Sequence, residues 1–180
     1  MLTLLPMAHA NPCTPPASAH SDWERFLARR NDLTSRMALS VCNGCDQCGG
    51  RCVDGFTVTR AEREAANAYL DTLPEAEVAR VLGQTKIIPW PGADDPDITV
   101  TACRYRDLEN GRCFIYPVRP TVCRLFGHTS WLPCPIEAVP DVPTDAPELW
   151  SDYLAFERRT WNGWDESNGG NAADGDAAFG

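Results

Sequence analysis

The sequence predicts a small, loop-rich α+β fold, with short helices and a β-hairpin organised around a cysteine metal cluster. Three observations lead there. Fifteen prolines and thirteen glycines cut the chain into short segments. Helical periodicity is confined to a few stretches, and two β-type segments flank a turn signal. Nine cysteines make up 5% of the 180 residues, and eight of them fall into two groups. Bound metal would contribute directly to folding such a chain.

The length suits one domain. Residues 1–20 are Pro/Ala/Ser-rich and read as a flexible leader. Met1–Ala10 ends in Ala-His-Ala, yet it lacks the basic n-region and full apolar stretch of a signal peptide. Residues 21–164 read as the cysteine-cluster metal-binding domain. Residues 165–180 are acidic, Gly/Asn/Ala-rich and poor in large apolar groups, and they read as a disordered tail.

Asp22 can N-cap a helix running to about Leu39, with Trp23, Phe26, Leu27, Arg30, Leu33 and Met37 on one broad face. That stripe reads as core packing rather than a partner groove. Val41–Gly55 is a Gly- and Cys-rich loop, and a short strand is expected within Val53–Val58. Thr59-Arg-Ala-Glu62 is a capping box opening a helix to about Leu73. Pro74 suits the first turn of a helix through Leu82, with Gly83 as its stop. Pro89–Pro96 reads as a linker and Ile98–Ala102 as a strand. Asn110-Gly111 signals a turn before a strand at Arg112–Tyr116. Pro120 leads a short helix to Phe126, closed by Gly127. Pro133–Pro147 is extended, and Glu148–Trp164 reads as a terminal amphipathic helix.

A formal charge of -9 and a pI near 4.7 argue against nucleic acid and against an anionic membrane surface as partners. No apolar run reaches the roughly 20 residues of a membrane span. The chain therefore reads as cytoplasmic, where clustered cysteines indicate metal rather than disulfides.

The first cysteine group is Cys42-x2-Cys45-x2-Cys48-x3-Cys52. Two-residue gaps let thiolates converge on one side of a loop, and the glycines between them permit the tight backbone. The spacing matches the bacterial ferredoxin run, except that Val53 stands where proline is expected. The run is not repeated. The second group is Cys103-x9-Cys113-x9-Cys123-x10-Cys134, whose gaps require the fold to bring them together. Eight cysteines suffice for two four-thiolate sites, or for one cluster plus a zinc. The cofactor is read as an iron–sulfur cluster of the 4Fe-4S type, or zinc. Cys13 is left over in the leader.

Arg51, Arg104, Arg106, Arg112, Arg119 and Arg124 lie close in sequence to cysteines, in an otherwise acidic chain. Arg119 and Arg124 are candidates for binding a cofactor or substrate anion, weighed against structural salt bridges to Asp or Glu in which the guanidinium also bonds loop carbonyls. His128 reads as a polar loop histidine rather than a ligand. Tyr116 and Trp131 are expected to pack around the site. No hydrolase triad, P-loop, dinucleotide fingerprint or radical-SAM spacing is evident.

The stretch CRYRDLENGRCFIYPVRPTVCRLFG, Cys103 to Gly127, resembles the core signature of the YkgJ-like cysteine-cluster family. Asn110, Gly111, Cys113, Ile115, Tyr116, Arg119, Pro120, Cys123 and Arg124 match its NGxC-x-IY-x-x-RP-x-x-CR pattern. The resemblance covers about residues 42–134 and implies zinc or iron chelation. The family cluster usually ends in adjacent cysteines, CxxxCxxCC, whereas Gly49-Gly50-Arg51 separates Cys48 from Cys52 here. Some relatives are described as iron–sulfur oxidoreductases, and flagellin lysine methylases carry a similar cluster. Three functions follow: an iron–sulfur electron carrier or oxidoreductase accessory; a structural zinc protein that binds a protein partner; and a methyl-transferring enzyme, on family association alone.

Overall fold

The computed structural model describes residues 17–37, 48, 52–90, 93–95, 97–137, 139 and 143–166 of the chain. Cys13, Cys42, Cys45 and Arg51, most of the leader and nearly all of the acidic tail lie outside the described residues.

Short helices and paired two- or three-residue strands make up the described chain. Helix α1 is Ala17–Ser35. It starts five residues before Asp22, so Asp22 is not its N-cap and instead pairs with Arg25 one turn on. Strand β1, Val58–Thr59, leads into α2, Arg60–Leu70, and α3 follows at Glu75–Leu82. The capping box is formed: Thr59 accepts from the Glu62 N–H at 3.2 Å, and Glu62 accepts from the Thr59 N–H at 3.0 Å. Gly83 closes α3, because a Cβ there would lie 2.9 Å from the Ala79 carbonyl oxygen.

Strand β2, Ile87–Pro89, pairs antiparallel with β3, Thr99–Thr101. The sequence assigns no element to Ile87 and Ile88 and starts its linker at Pro89, because the apolar run before that proline is too short to stand out. A second hairpin joins β4, Arg106–Asp107, to β5, Arg112–Cys113, with Gly111 at φ 67°. The β5 strand stops at Cys113, and Tyr116–Val118 forms a 3₁₀ turn rather than extending it. Pro117 inside that turn has no N–H to give a ladder.

Helix α4 is Thr121–Leu125, and β6, His128–Thr129, pairs with β7, Leu132–Pro133. The expected C-terminal helix is broken in two: α5 is Ala146–Leu154, β8 is Arg158–Arg159 and α6 is Trp161–Glu166. The break has a packing cause. Strand β8 pairs with β1, which carries Trp161 and Trp164 away from the core that α5 serves.

Two cores form among the described residues. Phe26, Leu33 and Met37 of the α1 stripe pack with Leu125, Ala146, Leu149 and Tyr153, as the periodicity predicted. Val58, Ala66, Cys103, Tyr105, Ile115, Trp161 and Trp164 form the other, with Cys52 and Cys113 packed against it. Fully burying one such aromatic contributes roughly 1.5–3 kcal/mol. Among the described residues no helix is long and apolar enough to cross a membrane.

Candidate metal centre

The end of the first cysteine loop is zipped onto the end of β3. Val53 bridges Ala102, the Asp54 N–H donates to the Thr101 carbonyl at 2.8 Å, and the Cys103 N–H donates to the Cys52 carbonyl at 2.9 Å. This short ladder sets Cys52 beside Cys103, where the one thiol bears on the other. The chain then turns, with the Arg106 N–H on the Cys103 carbonyl at 2.9 Å. The β4–β5 register places Cys113 opposite Arg106 and so returns it toward that turn.

Cys123 arrives on α4, whose N-terminus is tied to α2. Glu62 accepts from both the Thr121 N–H and its hydroxyl at 2.7 Å. Cys48 and Cys134 both border Gly127. That glycine has φ 84°; a Cβ on it would lie 3.7 Å from the Cys48 Sγ and 3.8 Å from the Cys134 Cα. Both described cysteines of the first loop therefore stand next to a cysteine of the second group. These contacts are pairs: among the described residues no three Cys, His, Asp or Glu side chains are grouped to hold one ion.

The thiols are poorly placed to ionise without a cation. The hydrogen bond to Cys52, then burial, pushes the Cys103 thiol far above the ordinary range. Burial pushes Cys113 up to about 11 and Cys123 well above its usual value, with the charge of neighbouring cysteines adding in the same direction. Zinc or iron would reverse this balance, since a coordinating thiol is deprotonated by the charge of the ion. The donor set is thus chemically suited to such a metal, although the described residues alone do not complete a site.

Arg119 and Arg124 do not take the carboxylate salt bridges weighed for them; neither pairs with Asp or Glu among the described residues. Arg119 lies 4.3 Å over the Tyr116 ring, and Arg124 donates to the Pro117 carbonyl at 2.7 Å. Burial, then the charges of Arg30 and Arg119, lowers the pKa of Arg124. His128 is not a polar loop residue. It lies in β6, 1% exposed, and burial followed by the Arg119 charge lowers its pKa. Tyr116 packs under Arg119 and Trp131 against Trp150, and both stay partly exposed, at 49% and 37%. Arg104 pairs with Asp165 at 3.5 Å, an ordinary surface contact.

Two residues escaped the sequence reading. Glu62 showed only its local capping role, yet it also receives the Tyr153 hydroxyl at 2.6 Å. Arg30 was counted as part of an apolar stripe, and nothing in its spacing revealed that α4 would bring Arg124 near it.

No curated protein and no solved structure matches the chain. A family model does, over residues 42–148, and its description is "CxxCxxCC: Putative zinc- or iron-chelating domain". That pattern has two residues in its first gap, so Cys42, Cys45 and Cys48 fit it, and the departure is confined to the fourth cysteine, displaced to Cys52. The match spans more than half of the chain, which therefore belongs to this family of zinc- or iron-chelating domains.

Proposed function

We propose that this metal-binding protein carries an iron–sulfur cluster of the 4Fe-4S type and serves electron transfer, or assists an oxidoreductase. Cys42, Cys45, Cys48, Cys52, Cys103, Cys113, Cys123 and Cys134 are the ligands in this reading. The observation that supports it most is the placement of Cys52 beside Cys103, and of Cys48 and Cys134 both against Gly127, from a loop with ferredoxin-type spacing. Arg119, whose charge acts on Cys113 and Cys123, would stabilise an anionic centre and raise its reduction potential, with Arg124 beside it. The acidic composition fits a cytoplasmic protein whose partner is another protein rather than nucleic acid or membrane.

Anaerobic purification with elemental analysis and a visible spectrum tests this. Iron with acid-labile sulfide and broad visible absorption is the expected result. Colourless protein holding only zinc eliminates it and leaves the second reading, a structural zinc module for protein binding whose chain unfolds on chelation.

A further inference from the structure

We propose that Arg30, Arg119 and Arg124 together form a binding site for a phosphate-type dianion, beside the cysteines but built from guanidinium groups alone. The three come from different elements. Arg30 lies on α1 between Phe26 and Leu33, on the face that packs against Leu125. Arg124 immediately precedes Leu125 on α4, and Arg119 caps the 3₁₀ turn that leads to that helix.

All three have a buried Nε with no hydrogen-bond partner. Desolvated donors of this kind are costly unless something accepts from them. Their side-chain hydrogen bonds among the described residues go to neutral acceptors: Arg30 to the Asn31 Oδ1 at 3.1 Å and Arg124 to the Pro117 carbonyl at 2.7 Å. Each guanidinium carries five N–H groups, so most of its donors remain to be satisfied.

The neighbouring carboxylate does not satisfy them. Glu62 Oε1 takes the Thr121 N–H and hydroxyl, and Oε2 takes the Thr59 N–H, the Thr59 hydroxyl and the Tyr153 hydroxyl. Glu62 acts on Arg30 and Arg124 only through space. Three guanidinium groups face one carboxylate that is already saturated, so their unpartnered Nε–H groups suit an anion with several acceptor oxygens, a doubly charged tetrahedral oxyanion. Forked guanidinium groups bind that geometry through paired N–H···O bonds. In a chain of net charge -9 such a spot is also where a small anion is drawn. This site goes beyond metal binding and stands whichever metal the thiols carry.

Calorimetric titration of the metal-loaded full chain with inorganic phosphate tests the proposal, with acetate titrated in parallel and metal content measured on the same samples. Saturable phosphate binding is expected, with acetate much weaker. Arg30→Gln and Arg124→Gln should each weaken it at least about tenfold, as the loss of charge-assisted hydrogen bonds implies. Arg63→Gln, whose partner is Asp165 on α6, should leave it unchanged. If Arg124→Gln fails to fold by circular dichroism, Arg30→Gln decides, since its Nη2 contact is exposed. Absence of phosphate binding to the wild type, acetate binding as tightly, or full affinity in Arg30→Gln overturns the proposal. Variants that lose metal while the wild type binds no phosphate would assign the arginines to balancing thiolate charge instead, and overturn it too.

Discussion

Glu62 and Thr121, 59 residues apart, are joined by two hydrogen bonds of 2.7 Å, one from the backbone N–H and one from the hydroxyl of Thr121. The same carboxylate closes the capping box of α2. One buried side chain therefore satisfies orphan donors at the starts of two helices, and it anchors Tyr153 of α5 as well. Since α4 carries Cys123, this carboxylate positions a cysteine without touching it.

Glu62→Gln puts amide hydrogens against donors on one side of the group. A loss of about 3 kcal/mol is expected, as for unsatisfied buried donors, and Tyr153→Phe should cost about 2 kcal/mol. Urea unfolding measures both. Metal retention should fall with Glu62→Gln more than with Tyr153→Phe, because only the former releases α4. Equal retention in the two variants would refute the positioning role.

Gly127 and Gly55 have similar left-handed backbones, φ 84° and 94°, but different surroundings. Cys48 and Cys134 border Gly127, whereas nothing lies within 4 Å of a Cβ at Gly55. Each Gly→Ala change should cost about 1–2 kcal/mol from backbone strain. Only Gly127→Ala should also lower metal content, measured by elemental analysis, because the backbone it strains lies against Cys48 and Cys134; the methyl group itself would rest at an ordinary contact distance of 3.7 Å from the Cys48 Sγ.

Asp107 is held by Arg80 at 2.8 Å, Gln84 at 3.0 Å, Asn110 at 2.7 Å and the Glu109 N–H at 3.1 Å. The Arg80 hydrogen bond first, then Gln84 and Asn110, keeps its carboxyl far below the usual carboxylate range. Its folded pKa lies below its unfolded one, so its stabilisation is complete above about pH 4 and is lost as pH falls below that. Thermal unfolding of Asp107→Asn against wild type should therefore show a gap above pH 4 that narrows in stronger acid. A gap independent of pH would contradict the assignment.

The thiol chemistry of the metal-free chain gives another check. Burial raises Cys113 to about 11. Its alkylation by iodoacetamide should accelerate about tenfold per pH unit well past the point where an ordinary thiol levels off near pH 8.5. Mass spectrometry of the labelled peptide reads this. Levelling near pH 9 would show that Cys113 is solvated once metal is gone.

Local signals were well preserved in the sequence. The Thr59–Glu62 capping box, the turn at Asn110-Gly111 and the stop at Gly83 all depend on neighbours within a few residues, and all three formed. The α1 stripe was legible for the same reason, since helical spacing alone decides which side chains share a face. The α+β class and the two cysteine groups followed from composition and spacing. Long-range pairing was not legible. Strand β8 exists because Arg158 and Arg159 lie opposite Thr59 and Val58, about a hundred positions earlier, and nothing local distinguishes them from helix.

What the amino-acid order determined by itself was the inventory: eight clustered thiols, the arginines near them, and the short elements that carry them. Only the tertiary structure decided which cysteines are neighbours, Cys52 beside Cys103 and both Cys48 and Cys134 against Gly127, and that the charges of Arg30 and Arg119 act on Arg124. The physical reason is the range of the forces involved. Capping and turn preferences act over a few residues, whereas the adjacency of side chains on separate elements is set by which apolar faces pack and which buried polar groups, Glu62 above all, must find partners across the chain.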